Sequence, residues 1–566
     1  MHFRFYTLDV LFHHSAPTRR DILWLIACFG ILAACTYAWS AVRNDFVTWD
    51  DRVLILGNPI IASFTPHTIR LAFTSYDPEL YIPLTFVSYQ LTHLVAGFAP
   101  WAYHIGNLLL HTLNGVLVAV FLWMLAKRPK VGIVAGALFL IHPLNTEAVM
   151  WASARKDVLS AAFFLAMVIT YLRSIRTKST RAWWVTVAFF LLALLSKVVV
   201  VVSPGILLLI DWLEGREDTK TMVIEKWPFY LLSFVFGFIA VLGKVAPTGF
   251  ALEKGLLAAR AIFFYVEKFF IPIGLGPLYP FTEPLALTTP ILALSVVVVI
   301  TITAASVATW KYWGWREVIF AWAFFLLLAL PSFTNVIKGA DEYLDVYFGS
   351  DRYVYLPSIA VFFLVGLAVD WLQRELGAII RWLTIALIAV FAVISWFQAA
   401  IWHDTLALFL RTLATYPNAH AAHTNVGTEL YNHGDADGAL TEYKKAIAIR
   451  PNGIAYYNIG QIYLERGRRI DAIAAYRQAI LASQVDPDPY TNLGALMLED
   501  GNVDEAILLL EEARSINNQL PMIYINLGLA YEAKGNIDAA LASFRAALML
   551  DPENGDVMET IRALGG

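Results

Sequence analysis

Two carboxylates stand side by side at Asp50 and Asp51, in the stretch Asn44-Asp45-Phe46-Val47-Thr48-Trp49-Asp50-Asp51-Arg52 that follows the first long apolar run. An acidic pair at a membrane surface repels anionic headgroups and costs free energy, so it calls for a chemical reason: general base, metal ligand or partner for a cation. The bland reading is a solvated helix cap. The pair has company. Another apolar run ends His142-Pro143-Leu144-Asn145-Thr146-Glu147, and the turn beyond it reads Arg155-Lys156-Asp157. So many polar groups in an apolar hairpin are expensive unless they face a wet cavity. His142 and Glu147 share a helix face only imperfectly, and Pro143 can break the helix and realign them. Arg155 and Lys156 suit a phosphate, the guanidinium as a fork and the ammonium as a mobile charge, with snorkelling to headgroups as the competing reading. Lys197 interrupts a later apolar run, and Ser350-Asp351-Arg352-Tyr353 opens the last but one. His104 and His111, with Asn107 between them, read first as core hydrogen-bonding groups. Spacing alone gives no complete metal-ligand set; Asp50, Asp51, His142 and Glu147 are the candidates, and a divalent metal stays an option.

The elements that must hold these groups are set by composition. Over 566 residues the chain is 58% hydrophobic, 14% aromatic and only 15% charged, which makes the bilayer its natural solvent. A net charge of −4 without a long basic block excludes a nucleic-acid partner. Apolar runs of spanning length fall near 22–42, 102–126, 131–149, 157–174, 183–197, 200–213, 227–244, 287–309, 317–335, 353–372 and 380–402, about eleven in all, the fifth and sixth short. The segment 256–272 is broken by Arg260, Glu267 and Lys268 and reads as interfacial or re-entrant. Arg4, Arg19 and Arg20 precede the first run, which is too long for a cleaved signal and reads as a retained span. Cys28 and Cys35, the two cysteines, lie within it on one helix side and read as packing residues without a disulfide framework. Lysines and arginines cluster in alternate connections, so with eleven spans those connections are cytoplasmic. Asp50, Arg155, Lys197, Arg352 and everything after residue 402 then share the outer face.

Residues 420–566 read differently. Asn425-Val426-Gly427, Asn458-Ile459-Gly460, Asn492-Leu493-Gly494 and Asn526-Leu527-Gly528 recur at a period of about 33 to 34 residues, each followed by a turn glycine and a small residue, Ala439, Ala472, Ala506 or Ala540. These are helix-turn-helix units of the tetratricopeptide (TPR) kind, about four of them, stacking into an α-solenoid with a concave surface for a protein or peptide. Asn425, Asn458, Asn492 and Asn526 would line that groove and hold a peptide backbone, or else cap and brace the units. The expected architecture is all-α: a polytopic helical domain over 1–402, a linker over 403–419, and the TPR domain over 420–566.

Taken in order, Trp49-Asp50-Asp51 with Asn58-Pro59, Tyr81-Ile82-Pro83-Leu84-Thr85, His104 to His111, His142-Pro143 to Val149, Arg155-Lys156-Asp157, Ser196-Lys197 and Arg352-Tyr353-Val354-Tyr355-Leu356-Pro357-Ser358 resemble the transmembrane and tetratricopeptide-repeat O-mannosyltransferases, membrane glycosyltransferases of the GT-C class. The resemblance covers nearly the whole chain. It departs at Ile82 and Val198, where that family usually carries a basic and an acidic residue. It implies a GT-C-like catalytic domain with an outward-facing site that moves a sugar, mannose or another hexose, from a polyprenyl-phosphate carrier to a hydroxyl, with protein Ser/Thr as acceptor. Asp50 or Asp51 would be the base, Arg155, Lys156, Lys197 and Arg352 would compete for the donor phosphate, and His104, His111, His142, Glu147, Asp157, Asp351 and Tyr353 would surround them. No resident cofactor is expected beyond this donor. Membrane lipids and an acceptor held by the repeats are the expected partners. A bacterial chain would sit in the inner membrane with periplasmic repeats, a eukaryotic one in the endoplasmic reticulum with lumenal repeats. A lipid-linked glycan or surface polysaccharide as acceptor, and a non-enzymatic TPR scaffold, are the competing readings. A transporter would need polar groups through the whole membrane depth, and here they gather at one end.

Overall fold

Within a bilayer every backbone N–H and C=O must find its partner inside the chain, and each apolar run accordingly forms helix. The computed structural model describes residues 16–76, 80–242, 251–335, 337–338 and 345–565. By length and composition seven of the described helices can cross a membrane, among them Arg19–Arg43, Pro100–Ala126, Ala152–Thr177 and Ala378–Ile401; the bent pair Pro129–Ile141 and Pro143–Met150 makes an eighth when taken as one span. Thr180–Ser196 and Val198–Leu213 are shorter, and the apolar run of Ser358–Leu376 ends in Asp370, Arg374 and Glu375. Length and composition alone therefore certify fewer crossings than the hydropathy pattern suggests.

The chain divides into two compact units that part between Tyr416 and Pro417. At the centre of the first, 67% of the spanning window in Pro100–Ala126 and 61% of that in Ala152–Thr177 is buried, against 11% in Ala378–Ile401, whose residues face outward. Small residues let the central helices approach: a Cβ on Gly136 would meet the Ala119 side chain and the Gly115 carbonyl at 2.7 Å. Residues 256–270 of the segment 256–272 belong to one helix, Ala251–Phe270, which buries Leu257, Ala261 and Tyr265 along one face and stops before Pro272. Three short antiparallel strands, Tyr279–Pro280, Asp345–Gly349 and Ile337–Lys338, form a sheet with Asp345–Gly349 in the middle.

Two expectations change. Cys28 and Cys35 are exposed on Arg19–Arg43, so they do not pack in the core. Residues 403–419, expected as a linker, hold the helix Thr405–Thr415, which is capped by Asp404 and buries Leu408, Phe409 and Thr412 within the first unit. Its apolar residues recur every three to four positions, so it covers apolar surface instead of spanning a gap.

The second unit is four antiparallel helix pairs, starting with His420–Asn432 and Ala436–Ile449 and ending with Pro521–Ala533 and Ile537–Leu550, followed by Gly555–Ala563. The Asn-X-Gly repeat has a steric cause, since a Cβ on Gly460 would meet the Tyr476 ring at 2.6 Å. Ala439, Ala472, Ala506 and Ala540 are fully buried where paired helices cross. Gly434 closes the first turn at φ 85°, a conformation that disfavours other side chains.

Candidate active site

The loop after the first span is fastened on every side except one. Asn44 Nδ2 donates to the Ala399 carbonyl at 3.1 Å, Asp45 N to the His403 carbonyl at 2.8 Å, and Thr48 N to Thr405 Oγ1 at 2.8 Å. Asp51, wholly buried, receives Val47 N at 3.0 Å on Oδ2, and Ser153 N at 2.8 Å together with the Ser153 hydroxyl on Oδ1. Burial pushes its carboxyl up to about 7 even though these donors pull it down. Asp51 is thus the pin that joins the loop to the turn at 152–154. Asp50 is left standing free of it, 36% exposed, with Lys156 Nζ at 3.7 Å.

Around Asp50 the aromatic rings set the scale. Trp49 stacks on Trp151 at 5.3 Å, and Trp151 stacks in turn on Trp402 at 5.9 Å. Two cations converge on the Trp151 ring, Lys156 Nζ at 5.5 Å and the Arg352 guanidinium at 4.8 Å from its centroid. Arg352 is fixed by Glu147, with Nη1 donating to Oε1 at 2.5 Å and the backbone N to Oε2 at 3.3 Å, while Ser350 Oγ donates to Oε1 at 2.8 Å. Burial would lower the Arg352 guanidinium, but the Glu147 charge outweighs it and holds Arg352 above its ordinary value. Lys197 pairs with Asp157 at 2.5 Å next to this cluster. Lys197, Ser332 and Tyr353 also line a narrow cavity of about 90 Å³ whose other walls are mostly apolar, among them Tyr81, Ile82, Val198 and Phe236. Ile82 and Val198, the two departures from the family pattern, therefore face one space.

The remaining candidates are consumed in holding the walls. Arg155 is 3% exposed and gives Nε to Asn107 Oδ1 at 2.9 Å, Nη1 to Thr92 Oγ1 at 2.6 Å and Nη2 to the Tyr103 carbonyl at 2.7 Å, so it has no free edge for a phosphate. Each of the three histidines bonds a backbone carbonyl through Nε2: His104 that of Asp45, His111 that of Leu140, His142 that of Phe269. His111 Nδ1 also accepts from the Tyr355 hydroxyl at 2.7 Å. Pro143 does break the helix, by 57°, but it sends His142 to Phe269 and Glu147 to Arg352 instead of bringing the two together. These groups are buried, the histidines on backbone carbonyls and Glu147 on Ser350 and Arg352. Asp351 accepts from the Tyr279 hydroxyl at 2.5 Å, and burial, helped by the nearby Glu147 charge, pushes its carboxyl well above the ordinary value. Among the described residues no three His, Cys, Asp or Glu side chains gather closely enough to hold a metal ion.

Sequence reasoning overlooked Ser153, Thr405 and the tryptophan stack. A lone serine or threonine carries no signal. Trp402, at the end of the last apolar run and beside His403-Asp404, repeats the Trp49-Asp50 pairing of an aromatic with polar groups at a span end, and that signal was present.

In the repeats, Asn492 Nδ2 donates to Tyr457 OH at 3.3 Å and Gln461 Oε1 at 3.2 Å, both in the preceding unit, and Asn458 reaches Thr428 Oγ1 at 3.5 Å in the same sense. Asn425 bonds the Ala421 carbonyl of its own helix at 2.8 Å. All four asparagines, Asn526 included, stay half-buried. Asn458 and Asn492 brace neighbouring repeats.

Tetratricopeptide-repeat family models match residues 457–521 and 521–554. Human protein O-mannosyl-transferase TMTC3 is 23% identical over 514 residues, covering 80% of this chain and 54% of that protein. Protein O-mannosyl-transferase Tmtc2 of Drosophila melanogaster is 30% identical over 205 residues, covering 33% of this chain and 22% of its own length. The chain thus spans about half the length of the curated TMTC3 relatives it matches. Among solved structures, MamA is 27% identical with a TM-score of 0.24, covering 27% of this chain and 90% of its own. YrrB is 19% identical with a TM-score of 0.25, covering 34% and 98%. The chain is a relative of the TMTC protein O-mannosyl-transferases, with tetratricopeptide repeats at its C-terminal end.

Proposed function

We propose that this chain is a membrane glycosyltransferase that moves mannose from a polyprenyl-phosphate carrier to protein serine or threonine hydroxyls, with inversion at the sugar. The observation that carries the reading is the division of labour within the acidic pair. Asp51 is sealed in and bonded, whereas Asp50 is open and faces two buried cations that share the Trp151 ring. The names of the relatives supply the sugar and the acceptor.

The donor phosphate docks between Lys156 and Arg352, with Lys197 beside it, and takes Lys156 away from Asp50. Asp50, freed of its counter-ion, becomes the base. The acceptor oxygen bonds to the anomeric carbon as the bond from that carbon to the phosphate oxygen breaks. Asp50 takes the hydroxyl proton, and the polyprenyl phosphate leaves with the electron pair, its charge held by fixed cations without protonation. The apolar cavity beside Lys197 and Tyr353 suits the first isoprene units of the carrier, and the repeats present the acceptor segment. The test is sugar transfer by purified full chain with a polyprenyl-phosphate mannose and a serine-rich peptide. Asp50→Asn should lower the rate by roughly 10²–10⁴-fold, and Lys156→Met should raise the donor KM; full activity in Asp50→Asn would overturn the reading.

A further inference from the structure

The helix that carries Arg155 and Lys156 at its start ends at Thr177. Arg176 lies roughly 32 Å further along, at 1.5 Å per residue, which is about the thickness of a bilayer's hydrocarbon core. At that far end an open cavity of about 650 Å³ is lined by Arg176, Lys178, Arg216, Glu214, Glu225, the hydroxyls of Ser174, Ser179 and Thr180, and Trp183. Its size lies within the roughly 300–1,000 Å³ usual for ligand sites.

The charges in its wall do not cancel. Arg176 is clamped by Glu214, Nε to Oε2 at 3.0 Å and Nη2 to Oε1 at 2.7 Å, and its Nη1 takes no part in either bond. Arg216 is clamped by Glu225 at 2.5 and 3.1 Å. Both guanidinium groups keep about a quarter of their side-chain surface open, 25% and 29%. The third cation, Lys178, forms no ion pair among the described residues and sits at φ 52° as the C-terminal cap of Arg155–Thr177. Behind the wall, Asp211 bonds both Lys226 and Arg216 Nη1, the latter at 3.0 Å, and Lys226 also reaches Glu225 at 3.1 Å, so this buried pair adds one charge of each sign to the group. Three cations against two carboxylates leave the cavity one positive charge, in a wall of fixed donors. The N-terminus of Thr180–Ser196, capped by Ser179, adds its dipole in the same sense. Trp184 and Trp227, 54% and 57% exposed close by in sequence to the lining residues, are the aromatic residues that favour a headgroup boundary.

We propose that this cavity binds a phosphodiester carrying a single negative charge, supplied by the headgroup of an anionic lipid in the leaflet at that end of the helices. The site is a membrane thickness away from Asp50 and does not depend on the sugar-transfer reading. It anchors the end of the helix whose other end presents Lys156.

The test uses purified full chain in neutral detergent, with its melting temperature followed while dihexanoyl phosphatidylglycerol, dihexanoyl phosphatidylcholine or inorganic phosphate is added. The phosphatidylglycerol should give a saturable rise that phosphatidylcholine does not. Lys178→Gly, which suits the left-handed backbone there, should shift the midpoint about five-fold to higher lipid while leaving the ligand-free melting temperature and the transfer rate unchanged. Equal midpoints in the two proteins would overturn the site. An equal rise with inorganic phosphate at the same concentration would overturn the lipid as its source.

Discussion

Asp50 and Asp51 are neighbours with opposite fates, and the physics that separates them lies in Ser153. One carboxylate takes two backbone N–H groups and a hydroxyl in complete burial; the other meets solvent and a lysine. Asp51→Asn presents an amide N–H₂ where one of these donors must be met, so it should lower the melting temperature of the chain by leaving a buried donor unmatched, a cost of roughly 1–3 kcal/mol. Asp50→Asn removes the carboxylate charge 3.7 Å from buried Lys156, and because Asp50 is itself 36% exposed the melting temperature should fall by less than in Asp51→Asn. The linkage has a definite sign. A carboxyl raised from 3.8 to about 7 by burial contributes stability that is present below its unfolded value and is lost as pH climbs through about 7. Asp51→Asn should therefore flatten the wild-type decline in stability over that window, measured by thermal melts at successive pH values; an unchanged slope would assign the decline elsewhere. The sequence showed that an acidic pair sat at a span end. It could not show which member was buried, because the deciding partner is a serine a hundred positions away. Arg155 and Lys156 repeat the lesson: adjacent cations on one helix point to different surroundings, and only Lys156 reaches the site.

At the scale of elements, the hydrophobic runs and the 33-to-34-residue period were legible because burial and repeat packing act on many residues at once. The breaks were not. His142-Pro143 ends one helix, a short turn starts the next, and Glu147 is carried to Ser350 and Arg352. Glu147→Gln leaves Arg352 charged and buried without its counter-charge, which should cost about 3–5 kcal/mol and appear in a thermal melt as a large drop in stability. A loss below about 1 kcal/mol would mean that solvent reaches the pair. In the repeats, Gly460→Ala places a methyl group against the Tyr476 ring and should destabilise by about 1–3 kcal/mol through overpacking. Circular dichroism of the full chain at 222 nm during heating would show this as an earlier loss of helix. The asparagines beside these glycines looked like groove residues in the sequence; their bonds to the preceding unit are visible only once the units are stacked.

For the whole molecule, the sequence foretold an apolar helical unit followed by a TPR solenoid, and it missed that Thr405–Thr415 belongs to the first unit. That helix helps fasten the loop that carries Asp50 through Thr405 and Phe409, so the end of the membrane unit takes part in shaping the candidate site. The central claim is that one exposed carboxylate among fixed cations transfers a sugar from a lipid phosphate. Its most direct test is the anomeric product formed from polyprenyl-phosphate mannose and a serine-containing peptide by the full chain in lipid nanodiscs, run beside Asp50→Asn. The native protein should yield a mannosyl-serine of inverted configuration, and the variant should lose roughly 10²–10⁴-fold in rate. A retained configuration, or equal rates in the two proteins, would contradict it.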